Sequence, residues 1–183
     1  MRSLLLALCL AFAGCATSGT VTIPALPAWQ APVGYGPITG QHVQIYAAAH
    51  LGTVPVFVAD STYTALNHDW FEAFLLWEWE VANELGISYV PESFDCDDFA
   101  VGFTWAVSRA AAKARVRVAP LVARIVVALP TSPPTRHAMV GVVTDRGVYV
   151  VEPQPDAGPF RTKLLSEYDK SKILSVVFGD YNP

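Results

Sequence analysis

Asp95, Cys96, Asp97 and Asp98 form a stretch whose residue types and spacing suit thiol chemistry. Cys96 stands at the predicted start of a helix, where the helix dipole and unpaired backbone N–H groups favour a thiolate. The three carboxylates oppose this, because nearby negative charge raises the pKa of a thiol. Helix capping, or a bound cation with oxygen ligands, would neutralise them. The pattern therefore indicates either a nucleophilic thiol or a row of helix-stabilising charges around an inert one.

A thiolate nucleophile also needs a base that takes up its proton and later delivers it to a leaving amine. His137 begins a predicted strand directly after a Pro-rich turn. His42 and His50 lie in or near Pro-rich and small-residue sequence, and His68 lies at the mouth of a predicted helix. His137 is thus the histidine on a sheet rim, where a lone histidine is more often a surface residue than a base.

The acid that would orient His137 depends on the register of the strand that follows. A hairpin centred on Thr144 and Asp145 places Glu152 directly across from His137 on the same face. A two-residue turn at Arg146-Gly147 places Asp156 there instead. The residues alone leave both registers open.

The first fifteen residues resemble an export signal. Arg2 precedes an apolar run from Leu4 to Ala13, too short to span a bilayer and of signal-peptide length. The run ends in Phe12-Ala13-Gly14-Cys15, which resembles the lipobox of bacterial lipoproteins with Phe12 in place of Leu. We expect a signal peptide over 1–14 and acylation of Cys15, with an ordinary secretory signal as the alternative. By the same resemblance, Ala16 favours an outer-membrane anchor.

The cysteine count then becomes informative. Of three cysteines, Cys9 falls in the signal and Cys15 carries the lipid, which leaves Cys96. An internal disulfide is excluded on this interpretation. A single unpaired thiol in an oxidising compartment invites a functional explanation.

Composition bounds the remaining possibilities. The chain has 183 residues, 52% of them apolar and 15% charged, which excludes disorder and suits one domain with a short appendage. A net charge of −4 makes nucleic acid a poor partner. Residues 15–42 are Pro- and Gly-rich and predict a lipidated tether, although Trp29, Tyr35 and Ile38 could instead pack as an extended strap. The folded domain is expected over 43–183.

Periodicity predicts helices first and strands afterwards, an α+β class. One helix starts at an Asn67 or Asp69 cap and runs through Leu85, with a core stripe of Trp70, Phe74, Trp77, Val81 and Leu85. A second helix spans about 97–115. Strands are predicted over Val122 to Leu129, His137 to Thr144, Val148 to Val151 and Leu174 to Phe178.

Asp95-Cys96-Asp97-Asp98-Phe99-Ala100, followed by His137-Ala138 and Glu152-Pro153-Gln154, resembles the papain-like cysteine peptidase domain at the carboxyl end of a mushroom agglutinin and in bacterial and phage proteins. The match covers about residues 55–155, with Asp60, Tyr63, Tyr89 and Glu92 upstream. It implies a papain-like, transglutaminase-like fold, in which a helix carrying cysteine packs on a mostly antiparallel sheet carrying histidine and glutamate. It also favours Glu152 over Asp156.

The resemblance further implies a calcium requirement. Aspartates beside the cysteine help bind calcium in that family, so we expect a site from Asp95, Asp97 or Asp98, with Glu92 or Asp60. Calcium is expected rather than zinc, because all candidate ligands are hard oxygens.

Two related branches compete with this assignment. Periplasmic transglutaminase-like proteinases share the acidic run at the cysteine, but usually use a Leu-Asp-Asn type acid after the histidine. Papain-like peptidoglycan endopeptidases are often lipoproteins, but usually have Ser-Gly after the cysteine, where this chain has Asp97-Asp98.

Together these features predict a lipid-anchored cysteine peptidase or amidase at the outer membrane, facing the periplasm or the cell surface. Cys96 would attack an amide, with His137 as base and Glu152 orienting it, on a peptide, protein or peptidoglycan substrate. The alternative from another class is a non-catalytic envelope lipoprotein that uses the same fold for binding or structure.

Overall fold

The computed structural model of the chain describes residues 22–90, 95–158 and 161–178. The predicted signal peptide over 1–14, the predicted acylation site Cys15 and the candidate ligand Glu92 lie outside these ranges. The α-helices of the described part are α1 (Gly40–Leu51), α2 (His68–Glu84) and α3 (Cys96–Lys113). None of these three helices is both long and apolar enough to cross a membrane.

Helices α2 and α3 match their predictions within two residues, because local signals define both. Asn67, not Asp69, caps α2: its side chain accepts a hydrogen bond from the Trp70 N–H at 2.9 Å. Gly86 follows the end of α2 with a φ of 64°, a conformation that glycine adopts without strain. Helix α1 was not predicted.

The strands of the described part are β1 (Ile38–Thr39), β2 (Val56–Val58), β3 (Thr62–Thr64), β4 (Ala119–Pro120), β5 (Val122–Leu129), β6 (Thr135–Thr144), β7 (Gly147–Val151), β8 (Thr162–Leu164) and β9 (Ile173–Phe178). Six of them form the main sheet in the order β2-β9-β5-β6-β7-β8, and β1-β3-β4 form a smaller one. All pairs in the main sheet are antiparallel except β2 with β9, which confirms the α+β class with a mostly antiparallel sheet.

The main sheet has a core on each face, because successive residues of a strand point to opposite sides. Ala138, Val140 and Val142 of β6 pack with α2 and α3, and the opposite face packs against α1. From the predicted stripe of α2, Trp70 and Phe74 are buried in the first core. The stripe is wrong at its end, where Leu85 is 47% exposed.

The segment before α1 packs on the domain as a strap. Trp77 Nε1 donates to the Pro24 carbonyl at 2.9 Å, and Trp70 Nε1 donates to the Pro27 carbonyl at 3.3 Å. Trp29 packs on Trp70, with 4.7 Å between ring centroids. The described part of the predicted tether is therefore held by α2, and the domain boundary placed at residue 42 falls inside α1.

The β6–β7 hairpin corrects both predicted registers. Thr144 pairs with Gly147, so Asp145 and Arg146 form the turn. If this register is continued beyond the last pair, Val140 and Val151, the residue opposite His137 is Gln154. Contacts distant in sequence hold this turn: Asp145 Oδ1 accepts from the His68 N–H at 3.0 Å, and Arg146 pairs with Asp69 at 2.8 Å.

Candidate functional site

Cys96 is the first residue of α3, and its acidic neighbours cap that helix. Asp95 is the N-cap, and its Oδ1 accepts a hydrogen bond from the Asp97 N–H at 3.3 Å. Asp98 Oδ2 accepts from the Asp95 N–H at 3.2 Å, which completes a capping box. Two of the three carboxylates therefore stabilise the helix start, and the box places Cys96 in the first turn.

The Cys96 thiol is half-buried and contacts strand β6. It packs against the core cluster that includes Ala138, the residue after His137. Burial raises the pKa of Cys96 above its ordinary value of 9.0, the Ala138 amide lowers it, and the charges of Asp95 and Asp97 raise it again. At neutral pH the thiol in this arrangement is protonated, so a nucleophilic role requires a partner that removes the proton.

His137 and Glu152 form a direct hydrogen bond, with 2.6 Å between Nε2 and Oε2. Their side chains are 15% and 24% exposed, so the pair is largely shielded from water. Glu152 Oε1 accepts from the Gln154 N–H at 3.3 Å, which fixes the carboxylate. Because a carboxylate accepts the Nε2 proton, the neutral ring presents its lone pair at Nδ1.

The sheet brings these groups together where β7 leaves β6. The ladder between the two strands ends at Val140 and Val151. Ala138 lies beyond this last pair on β6. Because β7 no longer pairs with β6 there, the Ala138 N–H is free to face the Cys96 thiol. Glu152 directly follows β7. In the β6–β7 register the residue opposite His137 would be Gln154, so Glu152, two residues earlier, contacts His137 diagonally.

The structure thus places all three predicted residues of the site in one region, with one direct contact among their side chains. No hydrogen bond joins the Cys96 thiol to the His137 ring within residues 95–158. The thiol lies instead near the backbone N–H of Ala138, the residue after His137, which lowers the pKa of Cys96. The imidazole and the carboxylate are already paired.

The other candidates lie elsewhere. His42 and His50 are exposed on α1, and His68 faces Glu72 at 3.4 Å. Asp156 is exposed on a single 3-10 turn, Pro155–Ala157. Glu152 is therefore the acid beside His137, although it arrives there by a register that neither prediction contained.

The acidic residues at Cys96 fit an oxygen-ligand cation in part. Asp95, Cys96 and Asp97 each offer an atom within 4.8 Å of the others, and of these a hard cation would use the two carboxylates. The hydrogen bond to the Asp95 side chain, with burial and the Asp95 charge, raises the pKa of Asp97. Two carboxyl groups that favour a shared proton are also a place where a cation would relieve repulsion.

The remaining proposed ligands do not join this pair in the described residues. Asp98 is not part of the group of ligand atoms within 4.8 Å of one another. Asp60 lies beside Thr104 and Ser108, about 12 Å or more along α3 from Cys96. Within the described residues, Asp95 and Asp97 are the two proposed ligands whose carboxylates lie close enough to share a cation.

Two features of this region carried no signal in the sequence. The Ala138 amide is a backbone group whose availability depends on where β7 ends. Arg161 and Glu78 form a buried ion pair behind Glu152, although 83 residues separate them. Periodicity and motif spacing do not report a contact of that kind.

Comparisons with known proteins identify the fold. No family model matches the chain, and the search of curated proteins gave no match. A structure described as the PSL1a–E64 complex is 21% identical, with a TM-score of 0.56, over 78% of this chain and 50% of that one. Polyporus squamosus lectin bound to the human-type influenza-binding epitope Neu5Acα2-6Galβ1-4GlcNAc is 21% identical, with a TM-score of 0.53, over 78% and 49%. The chain has a mushroom-agglutinin-like fold and spans about half the length of these proteins.

Asp97→Asn should increase the reactivity of Cys96. Removing the Asp97 charge removes one cause of the raised Cys96 pKa, so more thiolate is present at a given pH and alkylation is faster. The pH dependence of iodoacetamide labelling at Cys96 measures this, and its midpoint should move to lower pH.

The matched control is Asp98→Asn, which removes the same charge one residue further on. Asp98 contacts the Asp95 amide and is not among the groups that shift the Cys96 pKa. An unchanged midpoint in Asp97→Asn, or equal shifts in both variants, would contradict this electrostatic account.

Proposed function

We propose that this chain is a papain-like cysteine hydrolase, a peptidase or amidase. The observation that carries the proposal is the 2.6 Å contact between His137 and Glu152, formed next to Ala138, whose backbone N–H lowers the pKa of the Cys96 thiol. A nucleophile, a base and an acid that orients the base are the parts that nucleophilic catalysis requires. Their order along the chain, Cys96, His137 and Glu152, agrees with the family that the sequence resembles.

In the proposed reaction, the Cys96 S–H proton moves to His137 Nδ1 as the sulfur attacks the carbonyl carbon of a substrate amide. The new S–C bond gives a tetrahedral intermediate, and the C–N bond then breaks as the imidazolium returns its proton to the leaving amine. Water, deprotonated by His137, hydrolyses the thioester and regenerates the thiol. Glu152 keeps the Nε2 proton in place and stabilises the imidazolium.

The start of α3 supplies a donor for the oxyanion. The backbone N–H of Cys96 lowers the pKa of its own thiol. An oxygen that develops negative charge beside that sulfur would lie within reach of the same N–H. We propose the Cys96 amide as one oxyanion donor.

We further propose that Cys15 is acylated and anchors the protein in the outer membrane, facing the periplasm or the cell surface. The substrate would then be a peptide, a protein or peptidoglycan rather than nucleic acid. The proposal rests on the Ala13-Gly14-Cys15 junction and is independent of the chemistry at Cys96.

A binding module is the second candidate function. The raised pKa of Cys96 favours it, because a protonated thiol at a strand amide does not need to react. One structure of this fold is described as a lectin bound to a sialylated epitope. The likeness covers about half of that lectin, so a carbohydrate ligand belongs here only as the binding alternative.

Covalent labelling separates the two functions. We expect two reagents to modify Cys96: iodoacetamide, and E64, the compound named in the description of the PSL1a complex. Neither adduct should form in Cys96→Ser. His137→Ala should slow labelling at least about 10-fold near pH 7, because proton removal from the thiol depends on the imidazole. Peptide mapping by mass spectrometry locates the adduct and gives its rate.

His68→Ala is the matched control, since His68 is also paired with a carboxylate but lies at the start of α2. It should label like the wild type. Equal, slow labelling of the wild type and His137→Ala would end the catalytic proposal and leave the binding module.

Intact-mass measurement tests the anchor. Protein extracted from membranes should begin at Cys15 and carry acyl additions, whereas Cys15→Ser should be released with an unchanged domain. A soluble wild-type product that begins at another residue would contradict the lipoprotein proposal.

We also propose calcium as a cofactor held by Asp95 and Asp97. Bound there, the ion would cancel the negative charge that raises the Cys96 pKa and would brace the loop that enters α3. The competing account is capping alone, which predicts no dependence on an ion.

Calcium added to chelator-treated protein should therefore raise the melting temperature and speed alkylation of Cys96. Magnesium, which prefers octahedral geometry and gives up its water reluctantly, should act more weakly. Asp97→Asn should blunt the response to calcium. If neither the melting temperature nor the rate moves at millimolar calcium, the aspartates are caps and surface charges.

A further inference from the structure

Arg161 and Glu78 form an ion pair inside the protein, next to the candidate site but outside its chemistry. Arg161 directly precedes β8, and its Nη2 donates to Glu78 Oε2 on α2. The Arg161 side chain is 1% exposed and that of Glu78 is 16% exposed. Burial raises the pKa of Glu78, and the charge and hydrogen bond of Arg161 lower it. The pair is therefore held in a setting where each charge depends on the other.

Stability alone is a poor reason for such a pair. The loss of hydration of two buried charges offsets much of their attraction, and apolar side chains of similar size often serve as well. Within the described residues, Arg161 Nε and Nη1 are buried with no hydrogen-bond partner, so part of the guanidinium is uncompensated. The location of the pair, rather than its energy, points to its role.

That location is the backbone of Glu152. The Glu152 N–H donates to the Arg161 carbonyl at 3.0 Å, which extends the β7–β8 ladder one pair beyond Val151 and Thr162. At this point β7 has already left β6. The Arg161 side chain thus ties the diverging strand ends to α2.

Helix α2 in turn is packed on the helix that carries Cys96. Phe74 of α2 meets Phe103 of α3 edge to face, with 5.1 Å between ring centroids. A continuous set of contacts therefore runs from the Glu152 backbone through Arg161 and Glu78 to the helical layer that holds the thiol.

We propose that Arg161 and Glu78 are positioning residues, which set the place of Glu152, and through it the His137 ring, relative to Cys96. Their catalytic meaning rests on the proposed function, whereas the positioning of His137 does not. Without the ion pair, the backbone at Arg161 and Glu152 is no longer tied to α2. The contact between Glu152 and His137 then loses its fixed geometry.

The test replaces both charges at once, with Arg161→Met and Glu78→Met in one protein. A single substitution would leave a buried, unpaired charge and destabilise the fold for that reason alone. The matched control is Arg146→Met with Asp69→Met, which removes an exposed ion pair at the other end of the same hairpin. If the buried double variant fails to melt cooperatively, Arg161→Lys replaces it, because lysine keeps the charge but lacks the fork that holds the carboxylate.

The first readout is the His137 ring, followed by nitrogen-15 NMR. In the wild type, the bond to Glu152 should keep the proton on Nε2. The Arg161 and Glu78 double variant, or Arg161→Lys in its place, should lose that preference as Glu152→Ala should, while the Arg146 and Asp69 control keeps it. Wild-type ring signals in the test variant would overturn the proposal, and this readout holds even if Cys96 proves unreactive.

The second readout is Cys96 labelling in two backgrounds. We expect the test variant to slow alkylation about 10- to 100-fold, the scale of a displaced catalytic group. In a Glu152→Ala background the same change should have no further effect, because the pair acts through Glu152. A full additional loss in that background would overturn the proposal, whereas a wild type that labels independently of His137 would contradict the proposed function alone.

Discussion

The point at which β7 leaves β6 is the constraint on which the candidate site depends. Up to Val140 and Val151, backbone hydrogen bonds keep the two strands about 4.8 Å apart. Beyond that pair, the Ala138 N–H lies near the Cys96 thiol and lowers its pKa, and Glu152 reaches His137. A ladder that continued for two more residues would remove the first contact and restrict the second. The edge of the sheet therefore does more for the site than any single side chain.

The carboxylates at the start of α3 stabilise the helix but make the Cys96 thiol less reactive. Asp95 and Asp98 close a capping box, which stabilises a helix whose first turn must hold Cys96 in place. The charges of Asp95 and Asp97 lie beside the thiol and raise its pKa, and burial acts in the same direction. Whatever lowers the pKa of Cys96 in a working site must come from across the gap, from the imidazole, or from a bound cation.

The sequence was informative where structure is determined locally. Caps and 3.6-residue periodicity predicted α2 and α3, and Val- and Ile-rich runs predicted β5, β6, β7 and β9. Helix α1 was missed because only Gly40, Val43 and Ala47 are buried, so it has no clear apolar stripe. The hairpin register failed for a different reason: Asp145 is held as a turn residue by the His68 amide, 77 positions away. Contacts of that range leave no periodic trace.

The two candidate functions ask different things of the same residues. A binding module needs nothing more from Cys96 than a small, protonated side chain against a strand, where it behaves as a weakly polar hydrophobe. The His137–Glu152 pair is not explained in that way. Both side chains have lost most of their hydration, at 15% and 24% exposure. Removing ionisable groups from water carries a free-energy cost that packing does not require here. The pair is thus the observation that favours the proposed hydrolase over the proposed binding module.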